Sequence, residues 1–567
     1  MSDTATAGAH ALPELSPDAV RAALRSGQEI ALIDVREEDP FAQAHPLFAT
    51  QFSAGKLELE VAWRLPRQDV RIAVYDDGEG LAEPAARQLQ AWGYSQVHLL
   101  SRDAQGSGLG AWRAAGGELF RDVNVPSKAF GELVEHERHT PSLPAHAVQA
   151  LIASGANIKV LDARRFDEFN TMSIPSGTSV PGGELVLRLR ELVPDPTTQV
   201  IVNCAGRTRS IIGTQSLVNA GIPNPVAALR NGTIGWLLAG QTLDHGQTRR
   251  GAPDQPDLPP SPAGRAEARR AAQALADRAG AQRLSTADLA AWAADTSRTV
   301  YRWDVRTPEE YAAGHLAGFG SAPGGQLVQE TDVFAAVRGA RIVLADGGPA
   351  SDGVRAAITA HWLAQLGWQV GWLSDVGGAP GEQGALATES GAWQSPARPF
   401  PAVATVSPAE LADHLALDAT LAADAPRTVV LNFTTSANHV KAHIPGARWL
   451  LRAQLAQALR QLPPASRLVA TCGSSALARF AAADLARLTD TPVVVLAGGN
   501  AAWVAEGRPV QAGEQGLLSP RTDRYRRPYE GTDAPREAMQ AYLDWEFGLV
   551  AQLGRDGTHG FRVLGPA

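Results

Sequence analysis

Cysteine is almost absent from this chain: Cys204 and Cys472 are the two thiols in 567 residues. Two cysteines far apart in sequence form neither a disulfide framework nor a cysteine-based zinc site, so both are expected to be free thiols in a reducing compartment. Long apolar runs are missing too; none reaches the roughly 18 residues of a membrane helix. Met1 to Leu15 has no basic region followed by an apolar stretch, so no signal peptide is expected and the cytoplasm is the expected location. Positive charge is not in excess either. With 51 Lys+Arg against 59 Asp+Glu and a net charge of −8, no cations are spare to neutralise a phosphate backbone, which argues against nucleic acid as the main partner. What remains is ordinary soluble composition, 44% hydrophobic and 19% charged, and a length of about four domains at roughly 150 residues each.

What is present is a repeat. An apolar strand-like run ends in Asp-x-Arg at Asp34-Val35-Arg36, at Asp162-Ala163-Arg164 and at Asp304-Val305-Arg306. A fourth run, Val429-Val430-Leu431-Asn432, keeps the strand and loses both charges. The markers at 34, 162, 304 and 432 are separated by 128, 142 and 128 residues. A second apolar strand follows each one. It ends at Asp76, Cys204, Asp346 and Cys472, which lie 42, 42, 42 and 40 residues after the markers. So regular a period implies four copies of one unit. Each copy alternates short strands with Ala-rich helices, such as 211–220 and 476–488, and a third strand is expected at 97–100 and 493–496. The expected fold class is α/β, each unit a parallel sheet with helices on both faces. Functional loops of such sheets lie at the carboxyl ends of the strands, where both cysteines stand.

Cys204 opens the loop Cys204-Ala205-Gly206-Arg207-Thr208-Arg209. A thiol reacts as thiolate, and free cysteine ionises near 8.5, so reactivity needs positive potential and backbone donors. Gly206 permits a tight turn, a helix from about residue 210 presents its N-terminus, and Arg207 and Arg209 add permanent charge. The pattern reads as an anion cradle with sulfur at its centre; the competing reading is a buried structural cysteine. The Cys472 loop, Gly473-Ser474-Ser475-Ala476, has hydroxyls instead of arginines, and Arg452 from the preceding segment is the nearest candidate cation. Asp76 and Asp346 occupy the corresponding positions of copies one and three. An aspartate cannot carry a persulfide, so these copies are expected to be inactive scaffold or docking units.

These motifs resemble those of rhodanese domains. The family has an Asp-x-Arg strand end, a His-Ile-Pro-Gly-Ala stretch, a six-residue loop opening with cysteine, and a closing Gly-Gly-x-x-x-Trp. Copy four carries His443-Ile444-Pro445-Gly446-Ala447 and Gly498-Gly499 before Trp503; copy two carries Ser173-Ile174-Pro175 and Asn231-Gly232 before Trp236. The weaker counterparts are His315-Leu316-Ala317-Gly318 in copy three and His45-Pro46 in copy one. The resemblance implies four tandem rhodanese-like domains at 10–120, 140–245, 281–390 and 401–515, then a tail at 516–567 with a helix of unassigned role.

The resemblance also implies a sulfurtransferase. A donor such as thiosulfate or mercaptopyruvate would leave its sulfane sulfur on a cysteine as persulfide, for transfer to cyanide or a thiol. On that basis Cys204 and Cys472 are the candidate catalytic residues. Gly206, Arg207, Thr208 and Arg209, with Ser474 and Ser475, are the candidate substrate-binding residues, and Asp162 with Arg164 is a structural pair. No metal and no other cofactor is expected. Two alternatives stand beside this. One is a persulfide relay platform serving a sulfur-carrier protein. The other is phosphatase or arsenate chemistry, disfavoured because four rather than five residues separate Cys204 from Arg209.

Overall fold

The computed structural model describes residues 11–251, 262–347, 353–373, 386–422, 424–531 and 533–566. Four five-stranded parallel sheets share one strand order. In the second sheet it runs Ser142–Leu143, Val226–Leu229, Gln199–Asn203, Ile158–Asp162, Thr178–Ser179. The strand preceding each special position is thus always central, paired on both edges. It comprises Ile72–Tyr75, Gln199–Asn203, Arg341–Ala345 and Ala465–Thr471. Its neighbour carries the first marker, and the register pairs Asp34 with Tyr75, Asp162 with Asn203, Asp304 with Ala345 and Asn432 with Thr471. Asp76, Cys204, Asp346 and Cys472 therefore leave the same edge at the same point. The strand Ile72–Tyr75 is buried at every position, as expected of a sheet covered on both faces.

The Asp-x-Arg pairs have a common geometry. Arg164 forks onto Asp162 through Nε and Nη2 at 2.9 and 2.8 Å, and Nη2 also donates to the Met172 carbonyl at 2.6 Å. Arg36 does the same with Asp34 and the Ala44 carbonyl, and Arg306 with Asp304 and the Gly314 carbonyl. Each pair ties a strand end to the chain eight residues on, and each charge finds its partner inside the protein. In copy four, Asn432 substitutes by accepting from the Thr434 amide at 3.1 Å and from Asn500 Nδ2 at 3.1 Å.

One continuous apolar core runs through copies one, two and three; copy four keeps separate clusters. The helix Pro262–Ala279, between copies two and three, packs on Val354–Gln365 of copy three. The segment joining copies one and two is also a helix, Val125–Arg138, buried over most of its first half. The tail touches every copy. Its Ser519 hydroxyl receives the Leu451 amide, Arg527 pairs with Glu38 at 2.9 Å, and Arg562 donates its amide to the Gln365 carbonyl. Between these, the helix Arg536–Phe547 lies across copy two, and Leu549–Asp556 packs on Val125–Arg138.

Candidate functional site

The Cys204 loop is built by close backbone approach. The carbonyls of Cys204 and Ala205 accept from the amides of Thr233 and Ile234 at 2.9 and 3.1 Å, capping the helix Gly232–Leu238. A Cβ at Gly232 would stand 2.3 Å from the Cys204 carbonyl oxygen, and its φ of +54° is itself a glycine conformation. Copy four repeats the arrangement: Asn500 and Ala501 donate to the Cys472 and Gly473 carbonyls, and a Cβ at Gly499 would meet the Cys472 oxygen at 2.4 Å. The closing glycine is thus demanded by the loop it caps. Asn231 and Gly498, the residues before it, both adopt left-handed φ, which asparagine and glycine tolerate.

Cys204 is 1% exposed. Its Sγ donates to Ser210 Oγ at 3.4 Å, and that hydroxyl donates to the Arg207 carbonyl at 2.8 Å. Burial pushes the thiol pKa up, while Arg209 and the hydroxyl and amide of Ser210 pull it back. The helix Thr208–Asn219 starts two residues earlier than the sequence suggests.

Of the two loop arginines, Arg209 acts on the sulfur. It is held bidentate by Glu168, at 2.7 and 2.9 Å. Burial alone would raise the Glu168 carboxyl; Arg209 instead holds it at about 2. Arg207 is engaged elsewhere. Its guanidinium binds Glu132 at 2.7 and 2.8 Å, Glu135, and Asn231 Oδ1 at 3.0 Å, with the Phe547 ring 4.3 Å away. Thr208 is buried against Gly131, where a Cβ would lie 2.9 Å from its Cγ2. Gly206 lies beneath the tail: a Cβ there would meet Tyr542 Cε1 at 3.2 Å and Glu546 Oε2 at 3.4 Å.

Two segments outside the repeats therefore wall this loop, and sequence reasoning missed both. Glu132 and Glu135 come from the helix between copies one and two, Tyr542 and Glu546 from the tail. Helical spacing, i to i+3 and i to i+4, was the available signal. A cavity of about 550 Å³ opens beside Arg209, lined among others by Arg164, Glu168, Arg527, Tyr529 and Glu330.

Among the described residues, the Cys472 loop has no such walls. Cys472 is 5% exposed, but Gly473 and Ser474 are open to solvent, and a Cβ at Gly473 would meet nothing within 4 Å. Ser475, at φ +70°, begins the helix Ala476–Leu488 in a conformation that costs a side-chain-bearing residue about 1–2 kcal/mol. Arg452 lies between Glu58 of copy one, at 2.6 and 2.8 Å, and Asp484, at 2.7 Å, not on the thiol.

Copies one and three hold a carboxylate at this point. Asp76 accepts from the amides of Gly78, Leu81 and Ala82 at 3.2, 2.5 and 2.9 Å. Asp346 accepts from the Arg355 amide at 2.9 Å and from its Nε at 2.7 Å. In copy one the loop closes around a negative charge supplied by the chain itself; in copy three the described partner of that charge is Arg355, on the following helix. Among the described residues, no cluster of His, Cys, Asp and Glu could hold a metal ion, and no helix is long and apolar enough to cross a membrane.

Comparison with known proteins bears on what such loops do. The family model described as Rhodanese-like domain matches residues 16–106, 144–239 and 408–506. The crystal structure of a thiosulfate sulfurtransferase from Pseudomonas aeruginosa superposes with a TM-score of 0.90 at 61% identity, over 98% of this chain and 100% of that one. A Bacillus halodurans protein (TM-score 0.18, 17% identity) covers 19% of this chain and 80% of its own. A rhodanese-related protein from Thermoplasma volcanium (TM-score 0.16, 18% identity) covers 19% and 97%. No curated protein matches.

Proposed function

The chain belongs to the rhodanese-like family and is a sulfurtransferase, and from that premise we propose that Cys204 carries the transferred sulfur, with thiosulfate as donor. One observation carries the assignment. The carboxylate of Asp76, at the position equivalent to Cys204, is held by three backbone amides, one in the loop and two at the start of the following helix. A persulfide anion on Cys204 has the same charge at the same strand end, with Arg209 beside it.

The Cys204 thiolate attacks the sulfane sulfur of thiosulfate. A bond forms between Sγ and that sulfur, the donor's S–S bond breaks, and sulfite leaves with the electron pair. Cyanide or an acceptor thiolate then attacks the outer sulfur and restores the Cys204 thiolate. Arg209 and the helix N-terminus stabilise the charge on sulfur in both steps. Arg207 holds the loop against Glu132 and Glu135, so its part is positioning. Gly206 and Thr208 give the loop its close packing, and the Asp162–Arg164 pair anchors the neighbouring strand end. Copies one and three, with Asp76 and Asp346 at the sulfur position, are scaffold. The cytoplasm, where both thiols stay reduced, is the compartment this reading implies.

A second reading is favoured at Cys472 alone. The exposure of Gly473 and Ser474 suits a protein acceptor, such as a sulfur carrier, better than an enclosed small anion. There Ser474 and Ser475 would meet the incoming group.

The test is the mass of each cysteine peptide, without reductant, after incubation with thiosulfate or with mercaptopyruvate. Cys204 gains one sulfur, which cyanide removes and which Cys204→Ser abolishes. Loading from a persulfidated protein but from neither small donor would replace this reading with the relay.

A further inference from the structure

The tail helix brings one group to the Cys204 loop that the sulfur-transfer scheme has not used. Glu546 is 0% exposed, and its Oε2 sits over Gly206, two residues from the sulfur. Its Oε1 accepts from the Tyr542 hydroxyl at 2.8 Å, while Oε2 has no hydrogen-bond partner. The surrounding cations are committed elsewhere: Arg207 to Glu132 and Glu135, Lys128 to Asp122 at 2.7 Å. An orphaned carboxyl oxygen against the loop of a buried thiol, close enough for its charge to raise that thiol, is costly unless it has a task.

We propose that Glu546 is the proton acceptor for the Cys204 thiol during sulfur loading, a role that rests on Cys204 being the sulfur carrier. The S–H bond, directed at Ser210 Oγ in the resting protein, breaks and its proton passes through one bridging water to Glu546 Oε2. The sulfur electron pair forms the bond to the sulfane sulfur, and sulfite departs, leaving Cys204–S–S⁻ beside a neutral Glu546. When cyanide takes the outer sulfur as thiocyanate, the freed Cys204 thiolate recovers the proton. The cycle neither consumes nor releases a proton.

The electrostatics suit the task. Burial, together with Glu132, raises the Glu546 carboxyl to about 8, against the pull of Lys128, Tyr542 and Arg207. The Cys204 thiol is raised as well, and Glu546 contributes to that rise. Tyr542 and Tyr529, the tail's other titratable groups here, are pushed above their ordinary range by burial and stay neutral. An acceptor whose pKa lies near the working pH is the efficient kind.

The experiment is single-turnover loading of the full chain from thiosulfate across about pH 6–10, with cyanide discharge of the loaded enzyme measured separately. In the wild type, loading rises with pH and levels off above about 8. Glu546→Gln slows loading at neutral pH on the order of 10²-fold and moves its rise to higher pH, while discharge is unchanged. Glu546→Asp keeps a carboxyl and so keeps the pH dependence at a reduced rate; it carries the comparison if the glutamine variant does not fold. Wild-type loading and pH profile in Glu546→Gln would overturn the proposal, as would an equal fall in loading and discharge, which marks a merely structural role. Failure of the wild type to load Cys204 overturns the sulfur-carrier reading itself.

Discussion

The loops of Cys204 and Cys472 leave equivalent sheets at the same register and differ in almost everything around them. Both are capped by the helix that follows, and both demand a glycine there. Beyond that, the Cys204 loop is enclosed by two helices foreign to the repeat, and the charge of Arg209, itself held by Glu168, lowers the thiol pKa against burial. The Cys472 loop is open at Gly473 and Ser474, and the nearby Arg452 is bound to carboxylates. The repeated unit gives both loops the same frame, and the neighbouring segments make them different.

That contrast can be broken most severely at the capping glycines. Gly232→Ala drives a methyl into the Cys204 carbonyl, and Gly499→Ala into that of Cys472. Each is expected to cost about 3 kcal/mol and to disable only its own loop. Thermal unfolding of each variant, with sulfur loading read at each cysteine, checks this; loss at both cysteines from either change would contradict the independence of the loops.

Acid should separate the sites next. Glu168 is held at about 2 in the folded protein, below its ordinary 4.5. A depressed carboxylate contributes stability that is fully present above its unfolded pKa and is lost as pH falls through the folded one. The Arg209 anchor should therefore weaken between roughly pH 4.5 and 2. Hydrogen exchange should show the amides of 204–209 losing protection in that range, with Glu168→Gln abolishing the pH dependence.

The smallest expected difference is in labelling. A bulky maleimide at pH about 8 should reach Cys472 roughly tenfold faster than Cys204, since thiol reactivity follows exposure and thiolate fraction. Peptide mapping over time gives the ratio, and equal rates would mean that the enclosure of Cys204 does not control access.

Much of this was legible in the sequence. The strands at 97–100 and 493–496 and the helix at 476–488 stand where expected, because apolar runs and Ala-rich stretches announce themselves locally. Copy three lies outside the family-model matches, yet its Asp304-Val305-Arg306 marker and strand spacing point to it, and its sheet has the common order. The orientation of Arg207 was not legible. Adjacency to a cysteine says nothing about which way a long side chain turns, and Glu132 and Glu135 lie over 70 residues away. The tail was less readable still: helical spacing puts Tyr542 and Glu546 on one face, but nothing in either segment says that this face meets Gly206.

That tail has a consequence in time. Cys204 and Glu546 are 342 residues apart in the order of synthesis, so at typical rates the thiol precedes its cover by roughly 20–70 s. For that interval copy two can fold with its sulfur uncovered and exposed to oxidants. The nascent chain passes through a vulnerable stage that the finished protein never revisits.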